Sequence, residues 1–396
     1  MGWSNPTEIA TINVNGMDYT DWTAVTVIED ADEAYSWFQF ECTEFTPVPT
    51  AWASLKIKPG DECTVTLGGV QRISGYVMER HVNFDGRQHQ IMILGMSRTH
   101  SISISSILPS TNGKYDGMSF KDIAKRAAGY HGVQCKFVGD ISDKIFEHSQ
   151  HLPGEITWNF ILRHANMRNV MLGNTAQGEL LGVGPHNPMP SGKLVEGENI
   201  LRANCIISDQ YIFNRIASMG QSPGHDPVWG DPANKGAVEK SSIGLRPVFM
   251  THFADTPTAD QVDLIFKADT LKRFTEGTLI RAGITVQGWF QGDGKPWLCR
   301  DYYNVTSPML MLTGDLLACK RIVYDQREGA GTTTMMEMVS PILLNGIPGK
   351  TFSGPNPTTD TSSQQPSSVF DTGTTAVPAT PAAPGTFADR WSGLNQ

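Results

Sequence analysis

Lys58-Pro59-Gly60-Asp61, Cys63-Thr64-Val65-Thr66-Leu67, Gly68-Gly69 and the run from Ile73 to Val82 read, in order, as turn, strand, tight glycine turn and strand. A further turn at Asp85-Gly86 leads into a third strand, Gln90 to Ser97. Near the other end the same order returns. Thr306-Ser307-Pro308 introduces strands expected at Met309 to Leu312, Leu316 to Tyr324 and Thr332 to Ser340. Glu79-Arg80-His81-Val82 answers to Lys320-Arg321-Ile322-Val323, and Met92-Ile93-Leu94-Gly95-Met96-Ser97 answers to Met335-Met336-Glu337-Met338-Val339-Ser340. The correspondence is one of order more than identity. A chain that carries one small β-unit twice doubles the symmetry of any ring it builds, which points to architecture rather than catalysis.

The chain has 396 residues, 39% of them hydrophobic, enough for two to four domains with real cores. Thirty-nine glycines and 24 prolines favour many short strands and turns over long helices. A formal net charge of -9 argues against a basic nucleic-acid clamp. Met1-Gly2-Trp3-Ser4-Asn5-Pro6 lacks the basic start and apolar run of a secretory signal, and no apolar stretch reaches the ~18 residues of a membrane span. Cys42, Cys63, Cys135, Cys205, Cys299 and Cys319 lack CxxC or CxxH spacing, so buried thiols in a reducing cytoplasm are expected, with neither a disulfide framework nor a zinc site.

The fold class expected is α+β, predominantly β. It comprises two similar small β-barrel domains, an α/β insert between them, a helix inserted in the second barrel, and a disordered tail. Residues 1–107 form the first barrel, in which Ile12, Val14, Val25, Val27, Phe38 and Phe40 alternate with polar neighbours. Residues 108–200 form the insert. Phe120, Ile123, Ala124 and Ala127 fall on one helix face behind a Ser119 cap, Val133 to Val138 forms a strand, and a second helix runs from about Glu155 to Met167. Asn169 to Leu172 and Leu180 to Val183 read as a hairpin. The second barrel spans residues 201–344. Cys205 to Gly220 is extended, a loop covers Gln221 to Gly236, and a helix opening at Thr256-Pro257 ends near Gly277, so the interruption runs over about 221–278. Residues 345–396 are dominated by Pro, Ser, Thr, Gly and Ala, which cannot bury enough apolar area to offset their ordering entropy. Phe387, Trp391 and Leu394 return apolar character to its last ten residues, read either as a docking peptide on a tether or as a frayed end.

Motifs with chemistry in them fail one by one, so no catalytic, cofactor-binding or metal-binding residue is assigned and no enzyme is expected. Gly220-Gln221-Ser222-Pro223-Gly224 fits G-x-S-x-G, but the residue after the serine must supply an oxyanion N–H, and Pro223 has none. Gly288 to Lys295 has its glycines one residue too far apart for a phosphate loop, and Pro296 replaces the magnesium-binding hydroxyl; Gly292-Asp293-Gly294-Lys295 reads as a hairpin turn. His148-Ser149-Gln150-His151 lacks a third ligand, and both histidines read as surface or loop residues. Asn304-Val305-Thr306 matches a glycosylation triplet that means nothing without secretion. Glu29, Asp30, Asp32 and Glu33 form an acidic run read as a solvated loop.

Lys58-Pro59-Gly60-Asp61, Ile73-Ser74-Gly75-Tyr76-Val77 and Gly95-Met96-Ser97-Arg98, followed by Gly117-Met118-Ser119-Phe120-Lys121-Asp122-Ile123-Ala124, resemble the first barrel and following helix of contractile-tail phage baseplate hubs. Ser208-Asp209, Asn214-Arg215-Ile216, Gly220-Gln221, Ala282 to Trp289 and Tyr303-Asn304-Val305 look like strands of that family's second barrel. The pattern, over about residues 9 to 342, is most similar to hubs of Mu-like phages. The resemblance implies a homotrimer whose six barrels adapt a six-fold tail tube to a three-fold central spike in the virion baseplate, assembled in the host cytoplasm. It implies partners among other baseplate and tape-measure proteins, DNA passing a bore without a continuous basic stripe, no sequence-specific nucleic-acid binding, no stable membrane insertion and no cofactor. Two alternatives remain: the hub subunit of a type VI-like injection system, and a baseplate-associated cell-wall hydrolase.

Overall fold

Alternation of apolar and polar residues becomes alternation of burial. In β1 (Ala10–Val14) residues 10, 12 and 14 are buried while 11 and 13 are half-buried, and in β5 (Glu62–Leu67) Cys63, Val65 and Leu67 point inward. The computed structural model describes residues 8–44, 57–85, 89–107, 114–221, 234–240, 246–253 and 261–347. The chain through Phe352 is one unit, and the tail from 353 lies outside the described residues.

The first half of the main sheet contains β1, β2 (Met17–Tyr19), β3 (Ala24–Asp30), β4 (Trp37–Glu44), β5, β6 (Val70–Phe84) and β7 (His89–Ser97), all antiparallel in the order β3-β4-β7-β6-β5-β1-β2. Gly95 faces Phe38 across the β4–β7 ladder. A Cβ there would collide with the Phe38 ring, which explains the glycine inside a strand.

Between the halves lies a helical layer. The helices α1 (His100–Ile104), α2 (Phe120–Gly129) and α3 (Thr157–Met167) pack with β8 (Cys135–Val138), β9 (Met171–Asn174) and β10 (Leu180–Val183). Ser119 caps α2 by accepting the Asp122 N–H at 3.3 Å, and Phe120, Ile123, Ala124 and Ala127 form its buried face. β9 and β10 make the expected hairpin, with β8 parallel to β10. A separate apolar cluster fills this layer, and it takes in Ile102 and Ile107 as well as Phe160, Ile161 and Leu172.

The second half of the main sheet contains β11 (Pro190–Val195), β12 (Ile200–Ile207), β16 (Ile280–Gln287), β17 (Tyr302–Ser307), β18 (Leu312–Arg327) and β19 (Gly331–Val339). Its order, β12-β16-β19-β18-β17, repeats β3-β4-β7-β6-β5 strand for strand, with every pairing antiparallel. Even the bulges agree. The β6–β7 ladder skips Met78 between Val77 and Glu79, and the β18–β19 ladder skips Lys320 between Cys319 and Arg321. The bulge fixes Glu79 against Arg321, one residue beyond the sequence alignment, which set it against Lys320. The Met92 to Ser97 correspondence with Met335 to Ser340 fits the paired registers unchanged.

Three local expectations need correcting. Met309 to Leu312 is mainly a 3-10 turn (Pro308–Leu310), because Pro308 cannot join a ladder, and the strand before it is β17. Cys205 to Gly220 is not one extended run: β12 ends at Ile207, and β13 (Arg215–Gln221) belongs to another sheet. The interruption is not a loop and helix alone. β13 pairs with β14 (Asn234–Lys240) and β15 (Phe249–Phe253), and α4 (Gln261–Gly277) packs on β13 and β14. The Thr256-Pro257 start lies outside the described residues, while the helix ends at Gly277 as expected.

Candidate functional site

The two halves of the main sheet are spliced through β3 and β18. Arg321 to Arg327 pair antiparallel with Asp30 to Ala24, so β18 borders β17 with its first half and β3 with its second. One apolar cluster runs through both halves, from Ile12, Phe38 and Val65 to Ile284, Trp289 and Met336. Beneath the splice, Arg72 donates to Glu29 at 2.8 and 3.2 Å, stacks over the Tyr324 ring at 4.7 Å, and also hydrogen-bonds the Tyr324 hydroxyl. Tyr324 in turn donates to the Trp297 carbonyl at 2.6 Å. Three strands and both halves therefore meet at one buried ion pair. Burial works against charge on Arg72, but the Glu29 carboxylate outweighs it and holds the guanidinium charged.

The solvated-loop reading of the acidic run is thus half wrong. Glu29 and Asp30 end β3, with Glu29 buried against Arg72, while Asp32 and Glu33 are exposed in the bend that follows. Burial, then the neighbouring Asp32, pushes the Asp30 carboxyl up to about 7. Burial also opposes ionisation of Asp32, but its hydrogen bond from Asp30 and the Lys320 ammonium, 3.0 Å away, hold it below the usual carboxylate range.

In two places along this spliced sheet, the described residues leave a strand edge open. Apart from one bridge between Ile200 and Glu196, β12 pairs only with β16, and the Glu79 to Phe84 part of β6 pairs only with β7 because β5 stops opposite Tyr76. Both edges carry exposed apolar side chains among polar ones: Val82 is 51% exposed on β6, and Ile206 and Ile207 are 59% and 51% exposed on β12. On the sheet face away from the core, Arg281 pairs with Glu337 at 3.3 Å and Arg327 with Asp325 at 3.2 Å, while Arg202 and Arg321 are exposed.

None of the motifs weighed for chemistry converges with another. The nucleophile-elbow motif runs into residues 222–224, outside those described, as do Phe387, Trp391 and Leu394. Gly292 to Lys295 forms the hairpin turn, with Gln291 and Lys295 hydrogen-bonded at 2.7 Å and Gly294 at φ +84. His148 is exposed, but His151 is not a surface residue: it is buried, with Nε2 2.8 Å from the Glu155 carbonyl and its ring against Phe160. Ser149 and His164 contact at 2.7 Å, yet both are buried, and the other His164 nitrogen is held by the Phe160 carbonyl. No group of three metal-ligating side chains occurs among the described residues. Two open depressions of about 190 and 250 Å³ are lined mainly by polar groups, unlike the enclosed apolar clefts that bind small molecules. No helix of the described residues is long and apolar enough to cross a membrane. None of the six cysteines, all among the described residues, is in a disulfide, and Cys63, Cys299 and Cys319 are buried.

Sequence reasoning missed the splice, its Arg72–Glu29 pair and both open edges. The available signal was Val82 and Ile206-Ile207 in runs that end beside polar turns. Partnering such as that of Thr26 with Asp325, 299 residues apart, leaves no local pattern.

Residues 9–97 match the model of the family described as Mu phage baseplate assembly protein GpP-like, N-terminal. A comparison with curated protein sequences gives no match. Among solved structures, the 43 kDa tail protein of prophage MuSo2 from Shewanella oneidensis is similar, with a TM-score of 0.71 and 21% identity over 85% of this chain and 99% of that one. A tail protein from Neisseria meningitidis has a TM-score of 0.70 and 16% identity over 85% and 98% of the two chains. An Escherichia coli component of the type VI secretion system, described as similar to T4 tail proteins gp27 and gp5, has a TM-score of 0.53 and 8% identity over 83% and 76%. The predominantly β fold is therefore similar to that of these tail proteins, and residues 9–97 resemble the N-terminal domain of the Mu phage baseplate assembly protein GpP-like family.

Proposed function

We propose that this protein is the structural hub of a contractile phage baseplate. In this reading three chains form a ring of six similar β-barrels, the half-sheets β3 to β7 and β12 with β16 to β19 each providing one. The first barrel lies within residues 1–107, the second takes β11 together with residues 201–344, and the insert between them gives up β11 to the second barrel and gains Ile102 and Ile107 from the end of the first segment. One face of the ring mates with the tail tube and the other with the spike, and DNA passes through the bore. The observation that carries the reading is the internal repeat, in which strand order, direction and bulge agree between halves. A repeat of this kind lets three identical chains present six near-equivalent positions.

Supporting features are the match of residues 9–97 to a baseplate assembly family and the likeness to Mu prophage tail proteins. Local pairing of Arg281 and Arg327 with carboxylates fits a bore that lets a polyanion slide. No catalytic role is part of the proposal. Residues 387–396 serve as a docking peptide for another baseplate component. Size-exclusion chromatography with light scattering should give the mass of three chains, alone or with purified spike protein. A single-chain mass under both conditions overturns the trimeric hub. Release of muropeptides from peptidoglycan would overturn the purely structural reading.

A further inference from the structure

The β3–β18 splice is a template for a contact that the chain cannot make with itself. In the repeat, β12 takes the place of β3 and β6 takes the place of β18. Each chain therefore uses one β3-type edge and one β18-type edge internally and leaves one of each open among the described residues. Equivalent positions differ in burial accordingly. Ile28 on β3 is 8% exposed and its counterpart Ile206 on β12 is 59% exposed; Tyr324 on β18 is 1% exposed and its counterpart Val82 is 51% exposed. Apolar side chains along an open strand edge are an association hazard unless another strand covers them.

We infer that the open β6 edge of one chain pairs antiparallel with β12 of a second copy, in the register of the internal splice. This rests on the ring reading above and specifies its seam. Transferring the Arg321–Asp30 to Arg327–Ala24 register through the bulge-corrected equivalences sets Glu79 opposite Ser208 of the next copy, and Val82 opposite Cys205. Asp85 then faces Arg202, opposite charges at the end of the ladder. Val82 and Cys205 both occupy positions whose counterparts, Tyr324 and Val27, are buried in the internal splice. The two edges are different surfaces, so the contact is head-to-tail and continues from copy to copy until the ring closes.

The native Cys205 makes the register testable in the full chain. Val82→Cys should yield an inter-chain product on mild oxidation or with a short bismaleimide, and Cys205→Ser in that background should abolish it. Asn83→Cys, one residue along and on the opposite face, should give no comparable product. A multi-chain mass by light scattering without the cross-link between position 82 and Cys205 would overturn this seam while leaving the ring reading intact. A single-chain mass with no product would overturn both. A product formed equally by the Asn83 variant would overturn the register. Circular dichroism of the Val82 variant confirms folding, since that side chain is exposed in the isolated chain.

Discussion

At the residue scale, the least replaceable group is Arg72. It is buried beneath the splice, and removing it leaves the Glu29 carboxyl without its partner among Tyr324, Trp297 and the β-core. Arg72→Met should lower stability by about 3–5 kcal/mol, the usual cost of stranding one member of a buried pair, measured by urea unfolding. The double variant Arg72→Met, Glu29→Gln should recover part of that loss. Asp30 gives a pH signature. Its folded value of about 7 lies above the ordinary 3.8, so its contribution is fully present below about pH 4 and is lost as pH rises toward 7. Asp30→Asn keeps an uncharged donor beside Asp32. Its thermal midpoint should exceed the parent's at pH 8, with the gap narrowing toward pH 5; a gap independent of pH would contradict the assignment. None of this was legible in the acidic run Glu29 to Glu33, because charge pattern alone cannot tell a solvated turn from a strand end facing an arginine 43 residues away.

At the scale of elements, legibility followed the range of the interactions. The α2 cap at Ser119, the β9–β10 hairpin and the Gly292 to Lys295 turn depend on neighbours a few residues apart, and each formed as read. β12 and β13 were run together because Ser208 to Asn214 carries no strong breaker, and the break is set by β12 pairing with β16 in one sheet and β13 with β14 in another. The one-residue shift at Met78 and Lys320 had the same origin, since a bulge is a property of the ladder and not of either strand alone. Gly95 is the element-scale test of close packing. Gly95→Ala would drive its Cβ into the Phe38 ring between β4 and β7 and should cost about 1–3 kcal/mol, as overpacking does. Phe38→Leu in that background should restore part of the loss in the same unfolding measurement.

For the whole molecule, the repeat and the splice act in opposite directions. The repeat sets out two similar strand orders in sequence, but the shared cluster and the β3–β18 ladder make them one thermodynamic body. Native-state hydrogen exchange should therefore show the central amides of β7 and β19 opening with one common free energy; two well-separated values would mean independent halves. The splice also imposes a schedule on synthesis. Thr26, in β3, is 299 residues from its partner Asp325 in β18. At typical translation rates β3 waits roughly 15–60 s for β18 to emerge from the ribosome. Through that interval the nascent chain carries a naked β-edge, backed by Val25 and Val27, that fits a β18-type strand of any neighbouring chain. Nascent chains released before residue 312 should accordingly aggregate on sedimentation, whereas release after 347 should give soluble protein. Polysome spacing thus becomes part of how this molecule avoids pairing with the wrong copy of itself.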